Sequence, residues 1–295
     1  MHETMTLAAP GVSQNRWLLI FALMIVDSLH FVFARLLLPH VSPGVSAMYV
    51  LAIGTAEVGL LGLAQRRLHL NRLRKNMGFF LILGFLVATS TNINYEAVAF
   101  IDPGTASLLS ETSILFGLAF GLFWLREKLG PAQIAGALLA LLGVLVITFQ
   151  PGEYLHLGSL LVLSSAFLYA AHAAIAKRYG EEMDFLDFFF FRLLCTTGVL
   201  LLFALGRGAL VWPRATAWGL LALAGTIDVV VSRTLYYMAL RRLKMSVHSI
   251  VLTLSPVAAV VWSLLLFSTL PSPQQFAGGM AVLVGVLIVT LWRSS

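Results

Sequence analysis

The chain contains itself twice. Residues Pro131 to Thr148 match Pro273 to Thr290 at nine of 18 positions without a gap, an offset of 142 residues. The same offset pairs Tyr95 with Tyr237, Ser107 with Ser249 and His30 with His172, so the duplication runs through nearly the whole sequence. A duplicated unit restricts the fold to two similar halves related by a local axis. The direction of that axis depends on how many times each unit crosses its surroundings.

Those surroundings are lipid. Of the 295 residues 59% are hydrophobic and 11% are charged, far below the roughly 25% charged share of soluble domains. A net charge of +6 could suggest a nucleic-acid partner in a soluble chain. Here the basic residues lie between apolar runs, where they set membrane topology, and nucleic acid is excluded as a partner. Cys195 is the sole cysteine, so no disulfide forms within the chain. The polar first 15 residues lack a basic n-region, and the apolar run after them is too long for a signal peptide, so the first segment is expected to stay as a membrane span.

A bilayer core requires about 20 apolar helical residues. Ten segments qualify: 17–36, 44–64, 77–99, 104–124, 131–149, 157–177, 185–206, 215–239, 247–268 and 273–292. The expected organisation is a cytoplasmic tail over 1–16, a first repeat over 17–149, an outer connecting loop over 150–156 and a second repeat over 157–292. Five spans per copy, an odd number, make the second copy enter from the opposite side. The fold class is therefore all-α integral membrane, with ten transmembrane helices as a five-plus-five inverted-topology repeat. With both termini cytoplasmic, 14 of the 19 basic residues fall on the inner side and three, Arg35, Arg207 and Arg214, on the outer; Arg192 and Arg233 lie within spans. This predicts a multi-pass protein of the cell membrane, specifically a bacterial inner membrane.

Span ends carry capping signals. Ser272-Pro273-Gln274-Gln275 reads as an N-cap, a proline at the first helical position and an amide reaching back, and Ser42-Pro43 and Asp102-Pro103 begin helices in the same way. Gly136 and Gly143 are seven apart on one face of span five, as Gly278 and Gly285 are on span ten, and Gly117 and Gly121 form a GxxxG pair in span four. Such spacing permits close helix packing. Pro256 in span nine frees the Leu252 carbonyl, which marks either a kink or a cavity.

The sequence Glu127-Lys128-Leu129, followed by Gln133-x-x-Gly136 and Gly143-Val144-Leu145, resembles the EamA-type repeat of the drug/metabolite transporter superfamily, as does Tyr237-Met238-Ala239-Leu240 ahead of Ser255-Pro256. The resemblance covers residues 17 to 292. It implies export or exchange of small metabolites through a cavity lined by helices one, three, four, six, eight and nine. The copies diverge at Glu127, where the second has Thr269, and at Pro256, where the first has Ile114.

Ionisable residues inside spans face a bundle interior or an aqueous cavity, because lipid exposure costs at least roughly 2.5–3.5 kcal/mol each. Asp27 and His30 are three apart on one face of span one, and Arg35 near its end reads as an interfacial anchor. Asn92, Tyr95 and Glu96 share a face of span three. Ser107, Ser110 and Glu111 share one in span four, and Glu111 is the leading single candidate. Its equivalents in span nine, Ser249 and Thr253, are neutral. His172 matches His30 on the opposite helix direction. Either histidine alone reads more readily as a ring satisfied by a neighbouring helix than as a ligand. Arg192, Asp228 and Arg233 form either a structural charge network or part of the site. Tyr169, Tyr237 and Trp262 either stack on a ligand or pack the bundle. Glu57 is expected to snorkel or to pair with the Arg66/Arg67 loop.

The candidate substrate-binding set is therefore Asp27, His30, Asn92, Tyr95, Glu111, Tyr169, His172, Arg233, Tyr237, Ser249, Thr253 and Trp262. Acids, imidazoles, amides and aromatic rings together suit a small zwitterionic or amphipathic solute such as an amino acid better than a polyanion. Protons could be a coupling partner through Glu111 or a histidine, whereas uniport or exchange requires none. A lipid or lipid-linked sugar flippase would use the same architecture. A membrane enzyme is disfavoured, since neither His-Glu-x-x-His nor Gly-x-Ser-x-Gly occurs, and no cofactor or metal site is expected. The expected state is a monomer or weak dimer.

Overall fold

The computed structural model describes residues 11–124, 130–148, 156–179, 183–236 and 245–291. Their helices, in chain order, are α1 (Gly11–Asp27), α2 (His30–Leu37), α3 (Pro43–Ala64), α4 (Leu70–Lys75), α5 (Met77–Ala97), α6 (Pro103–Ser110), α7 (Ser113–Phe123), α8 (Pro131–Thr148), α9 (Leu157–Tyr179), α10 (Phe185–Gly206) and α11 (Ala215–Ala224), then α12 (Met245–Phe267) and α13 (Pro273–Leu291). Beyond α11 the chain passes through a π-helical segment, Gly225–Val231, and stays helical to Tyr236. Among the described residues, six stretches are long and apolar enough to cross a bilayer: Pro43–Ala64, Met77–Ala97, Pro103–Phe123, Leu157–Ala176, Phe185–Gly206 and Ala215–Tyr236. With α1–α2, α8, α12 and α13 these give the ten crossings, and α4 is a short connector between spans two and three.

The capping signals are used unequally. Asp102 accepts from Thr105 N at 2.9 Å. Ser272 forms the full box, its Oγ accepting from Gln275 N at 3.2 Å while Gln275 Oε1 accepts from Ser272 N at 2.8 Å. In the first copy Gly130 replaces that serine, leaving the half in which Gln133 Oε1 accepts from Gly130 N at 2.9 Å. Ser42 makes no side-chain cap, contrary to expectation.

The inversion is visible at the crossing of α8 and α13. A Cβ on Gly136 would lie 2.7 Å from the Gly285 carbonyl oxygen, and one on Gly143 would lie 2.5 Å from that of Gly278. The early glycine of each helix thus meets the late glycine of the other, so two equivalent helices run antiparallel. Adding the offset to one contact yields the other, as a two-fold axis requires. The same axis passes between α3 and α10, where Thr55 Oγ1 lies 2.8 Å from Thr197 Oγ1, two residues separated by 142 positions. A residue touching its own equivalent must sit on the axis.

Both α3 and α10 end in the same C-terminal motif. Arg67 N donates to Gly62 O at 3.1 Å and Ala209 N to Ala204 O at 2.9 Å, with the intervening Arg66 and Gly208 at φ 52° and 60°. These are matched Schellman turns. The halves differ in span eight. Gly84 in the first copy approaches Cys195, and the residue approaching Ile53, the equivalent of Cys195, is Gly225 rather than the expected Thr226. A π-segment holds one extra residue per insertion, and Gly225–Val231 accounts for this slip of one.

Without a hydrophobic drive between helices in lipid, association depends on close packing and interhelical hydrogen bonds. On one side α5 and α9 are joined by Ser90 and Ser165: their hydroxyls lie 2.7 Å apart, and each donates to the other's carbonyl, at 3.1 and 2.9 Å. Phe167 of α9 then lies against Phe116 and Phe120 of α7, with centroids at 5.4 and 5.5 Å. The equivalent of Ser90 in the other half, Ser232, is buried with no partner for its hydroxyl, and the equivalent of Ser165 is Leu23.

Candidate functional site

Irregular backbone and intramembrane acids coincide. Span one tightens at Ser28 and Leu29, where Leu29 N bonds Val26 O at 3.2 Å, three residues back, directly after Asp27. Span four tightens at Glu111 and Thr112: Thr112 N bonds Leu109 O at 3.0 Å and Ile114 N bonds Glu111 O at 3.1 Å. Asp228 lies inside the π-segment of span eight, and Ser255 precedes the proline within α12. Backbone of this kind is tolerated at membrane depth where it is buried in protein or lines a cavity.

These positions converge. His30 Nδ1 lies 2.9 Å from Asp228 Oδ2, joining span one to span eight, and Asp228 is only 4% exposed. Ser255 Oγ donates to Asp27 Oδ2 at 3.0 Å, joining span nine to span one. The His30 ring meets the edge of Tyr95 at 5.8 Å, which brings in span three. Glu111 of span four lies within the field of Asp27. Arg233, just past the π-segment, lies within electrostatic range of Asp27, Asp228, Tyr169 and Tyr236. From span six, the rings of Tyr169 and His172 lie 5.4 Å apart, and His172 is in the field of Arg192 and Arg233. Both halves therefore contribute to one charged cluster.

The cluster holds polar atoms whose hydrogen-bonding capacity is unused. The second oxygen of Asp228 and the Tyr95 hydroxyl are buried without a partner, as is, further along α12, the Trp262 indole N–H. Neither ring nitrogen of His172 makes a hydrogen bond of normal geometry, although the Tyr169 carbonyl acts on the ring. Trp262 lies seven residues beyond Ser255, on the same face of α12. A solute presenting both donors and acceptors could satisfy such groups, and buried polar groups left unpaired are unfavourable.

Of the sequence-derived candidates, Asp27, His30, Tyr95, Glu111, Tyr169, His172 and Arg233 are thus brought together. Asn92 is not. Its amide donates to Glu96 Oε1 at 2.9 Å, the same atom that Arg207 contacts at 2.9 Å, at the far end of α5. Tyr237 lies outside the described residues, as do the side chains of Ser249 and Thr253. Two partners were not foreseen. Asp27 and His30, paired with one another by spacing, each look across the bundle, to Ser255 and Asp228. Matching depth in antiparallel spans was the available signal for His30 and Asp228. Arg35 donates to the Val98 carbonyl at the end of span three and is more than an interfacial anchor. Glu57 accepts from Thr226 Oγ1 at 2.7 Å in the π-segment, not from the Arg66/Arg67 loop. Arg192 is buried, its guanidinium 5.6 Å from the Phe189 ring centroid. Among the described residues no group of three His, Cys, Asp or Glu side chains is placed to hold a metal.

Similar proteins agree with this architecture. The chain is 27% identical over 256 residues to the uncharacterized transporter YdfC of Bacillus subtilis, covering 83% of this chain and 81% of that one. It is 26% identical over 227 residues to a riboflavin transporter of Vibrio cholerae, covering 75% and 74%. It is 24% identical over 194 residues to the riboflavin transporter ImpX of Fusobacterium nucleatum, covering 62% and 65%. A solved crystal structure superposes with a TM-score of 0.67 at 22% identity, over 94% of this chain and 98% of the other, and shares the fold. The EamA-like transporter family matches residues 16–149 and again 156–291. Two complete copies of that unit, packed as an inverted pair, make this chain a multi-pass membrane transporter, not an enzyme, that belongs to the EamA-like transporter family.

Proposed function

We propose that the protein exports or exchanges a small amphipathic metabolite by alternating access, with the charged cluster as the substrate site and both termini in the cytoplasm. The observation that carries this reading is that Asp27, Glu111 and Asp228 each stand at an interruption of regular helix, with Asp228 held by His30 at 2.9 Å and Asp27 by Ser255 at 3.0 Å. Discontinuous helices at mid-depth place backbone and charge where a solute can reach them, and two inverted units can rock about such a site. Carboxylates beside Arg233 and Tyr169 suit a solute with opposite charges or with alternating donors and acceptors, such as an amino acid. The two relatives named as riboflavin transporters, together with Tyr95, Tyr169 and Trp262, support a second candidate. That candidate is a heteroaromatic solute whose imide N–H and carbonyls would meet Asp228 and Arg233 and whose ring would stack on tyrosine.

Counterflow in proteoliposomes tests both, using labelled amino acids, riboflavin, nucleobases and sugars, with and without a proton gradient. Accumulation of an amino acid or of riboflavin is expected, with Glu111→Gln abolishing it or its dependence on the gradient. Lipid scrambling with no solute counterflow would overturn the reading.

A further inference from the structure

A second polar site lies apart from the central cluster. Where α3 begins and α5 and α10 end, the helices part around a cleft of about 370 Å³, a size typical of small-ligand pockets. It is at the end of the bundle opposite the Arg66 to Lys75 segment, the end that the basic-residue count assigns to the outer side. The lining includes the apolar side chains of Val45, Phe100, Phe203 and Ala204, with Val45 and Ala204 buried and Phe100 half exposed. The rim is a dipole: Arg207 Nη1 lies 2.9 Å from Glu96 Oε1, with the two side chains 59% and 35% exposed. Asn92, 5% exposed, fixes the carboxylate from below through the same Oε1 atom. Both bonds fall on one oxygen. Among the described residues, Glu96 Oε2 and the remaining guanidinium N–H groups of Arg207 have no protein partner. Gly44 helps to hold the space open, because a Cβ there would lie 2.5 Å from Asn92 Oδ1 and 3.9 Å from Arg207 Nη1.

We propose that this cleft binds the headgroup of an aminophospholipid, with Arg207 on the phosphate and Glu96 on the primary ammonium. A guanidinium matches phosphate oxygens with paired N–H donors, a carboxylate matches an ammonium, and a two-carbon linker brings the two ligand charges as close as the two side chains. The apolar lining, with the half-exposed Phe100 ring at its edge, selects a lipid over a soluble zwitterion. Charge complementarity selects this lipid over one with a single charged group. The site is confined to one leaflet: under the repeat, Asn92, Glu96 and Arg207 correspond to Thr234, Met238 and Gln65, which carry no charge. It is therefore an anchoring site and no part of a flipping path.

Native mass spectrometry of the full-length protein, released from nanodiscs of defined composition, tests the assignment. Phosphatidylethanolamine should be retained about tenfold over phosphatidylcholine, whose quaternary nitrogen has no N–H, and over phosphatidylglycerol, which has no ammonium. Glu96→Gln should remove the preference over phosphatidylglycerol while keeping phosphate affinity, and Arg207→Gln should lose both lipids. Should Arg207→Gln fail to give monodisperse protein, Glu96→Gln alone decides. Equal retention of the three lipids, or an unchanged preference in Glu96→Gln, overturns the proposal. Binding of free phosphoethanolamine as strongly as the whole lipid would overturn the lipid as its source.

Discussion

Arg66 and Gly208 hold the same place in the two copies and the same left-handed backbone, yet only one of them is glycine. The turn closing α3 requires a positive φ that a side chain resists by about 1–2 kcal/mol. Arg66→Gly should therefore raise stability by about 1 kcal/mol, read as a higher unfolding temperature in detergent, with insertion unaffected because four basic residues remain in that segment. The central cluster follows a different logic. Asp228→Ala leaves the His30 imidazole without its acceptor, and His30→Ala leaves the buried carboxylate without its hydrogen bond. Each should cost about 1–3 kcal/mol. The double variant should cost less than the two together, since it removes both partners and so orphans neither. Strict additivity in that cycle would show that the 2.9 Å contact carries no coupling. Sequence periodicity identified both His30 and Asp27 but matched them to each other, because spacing along one helix contains no information about the helix opposite.

At the scale of elements, the spans and their glycines were legible, whereas the interruptions were not. A 3₁₀ turn at Glu111 and a π-segment around Asp228 leave no mark in hydropathy, since the residues stay apolar on both sides. Only the slipped register between Gly84 and Gly225 records the extra residue. The α8–α13 crossing offers the sharper test. At Gly136, Gly143, Gly278 and Gly285 the atom nearest an added Cβ is backbone, which cannot rotate away. Alanine at any of the four should destabilise by about 1–3 kcal/mol. Equivalent positions should also agree, Gly136 with Gly278 and Gly143 with Gly285, because the two-fold gives each pair the same surroundings. Clear disagreement within a pair, measured by thermal unfolding in one detergent, would argue against a symmetric crossing. Gly117, with open space beyond it, should tolerate alanine and serves as the control.

For the whole molecule, the repeat and its odd span count established an inverted pair, and the antiparallel glycine crossing confirmed it. The sequence could not reveal that the halves sit in different conformations. Here α9 is fastened to α5 by Ser90 and Ser165 and to α7 through Phe167. The equivalents of these residues are Ser232, Leu23 and Ile25, and the Ser232 hydroxyl has no partner. If the two halves exchange conformations as the site opens to the other side, Ser232 should then donate to the Leu23 carbonyl as Ser90 does to that of Ser165. Paired cysteines in a Cys195→Ser background test this. Oxidation of Ser90→Cys/Ser165→Cys should be fast in the absence of solute and should stop transport, because the hydroxyls are already 2.7 Å apart. Leu23→Cys/Ser232→Cys should oxidise slowly at rest and faster during turnover. Thr55→Cys/Thr197→Cys, lying on the axis where rotation moves atoms least, should cross-link in both conditions and leave transport largely intact. If turnover leaves the Leu23/Ser232 rate unchanged while transport proceeds, the halves do not exchange conformations. The asymmetry would then be a fixed property of two diverged copies.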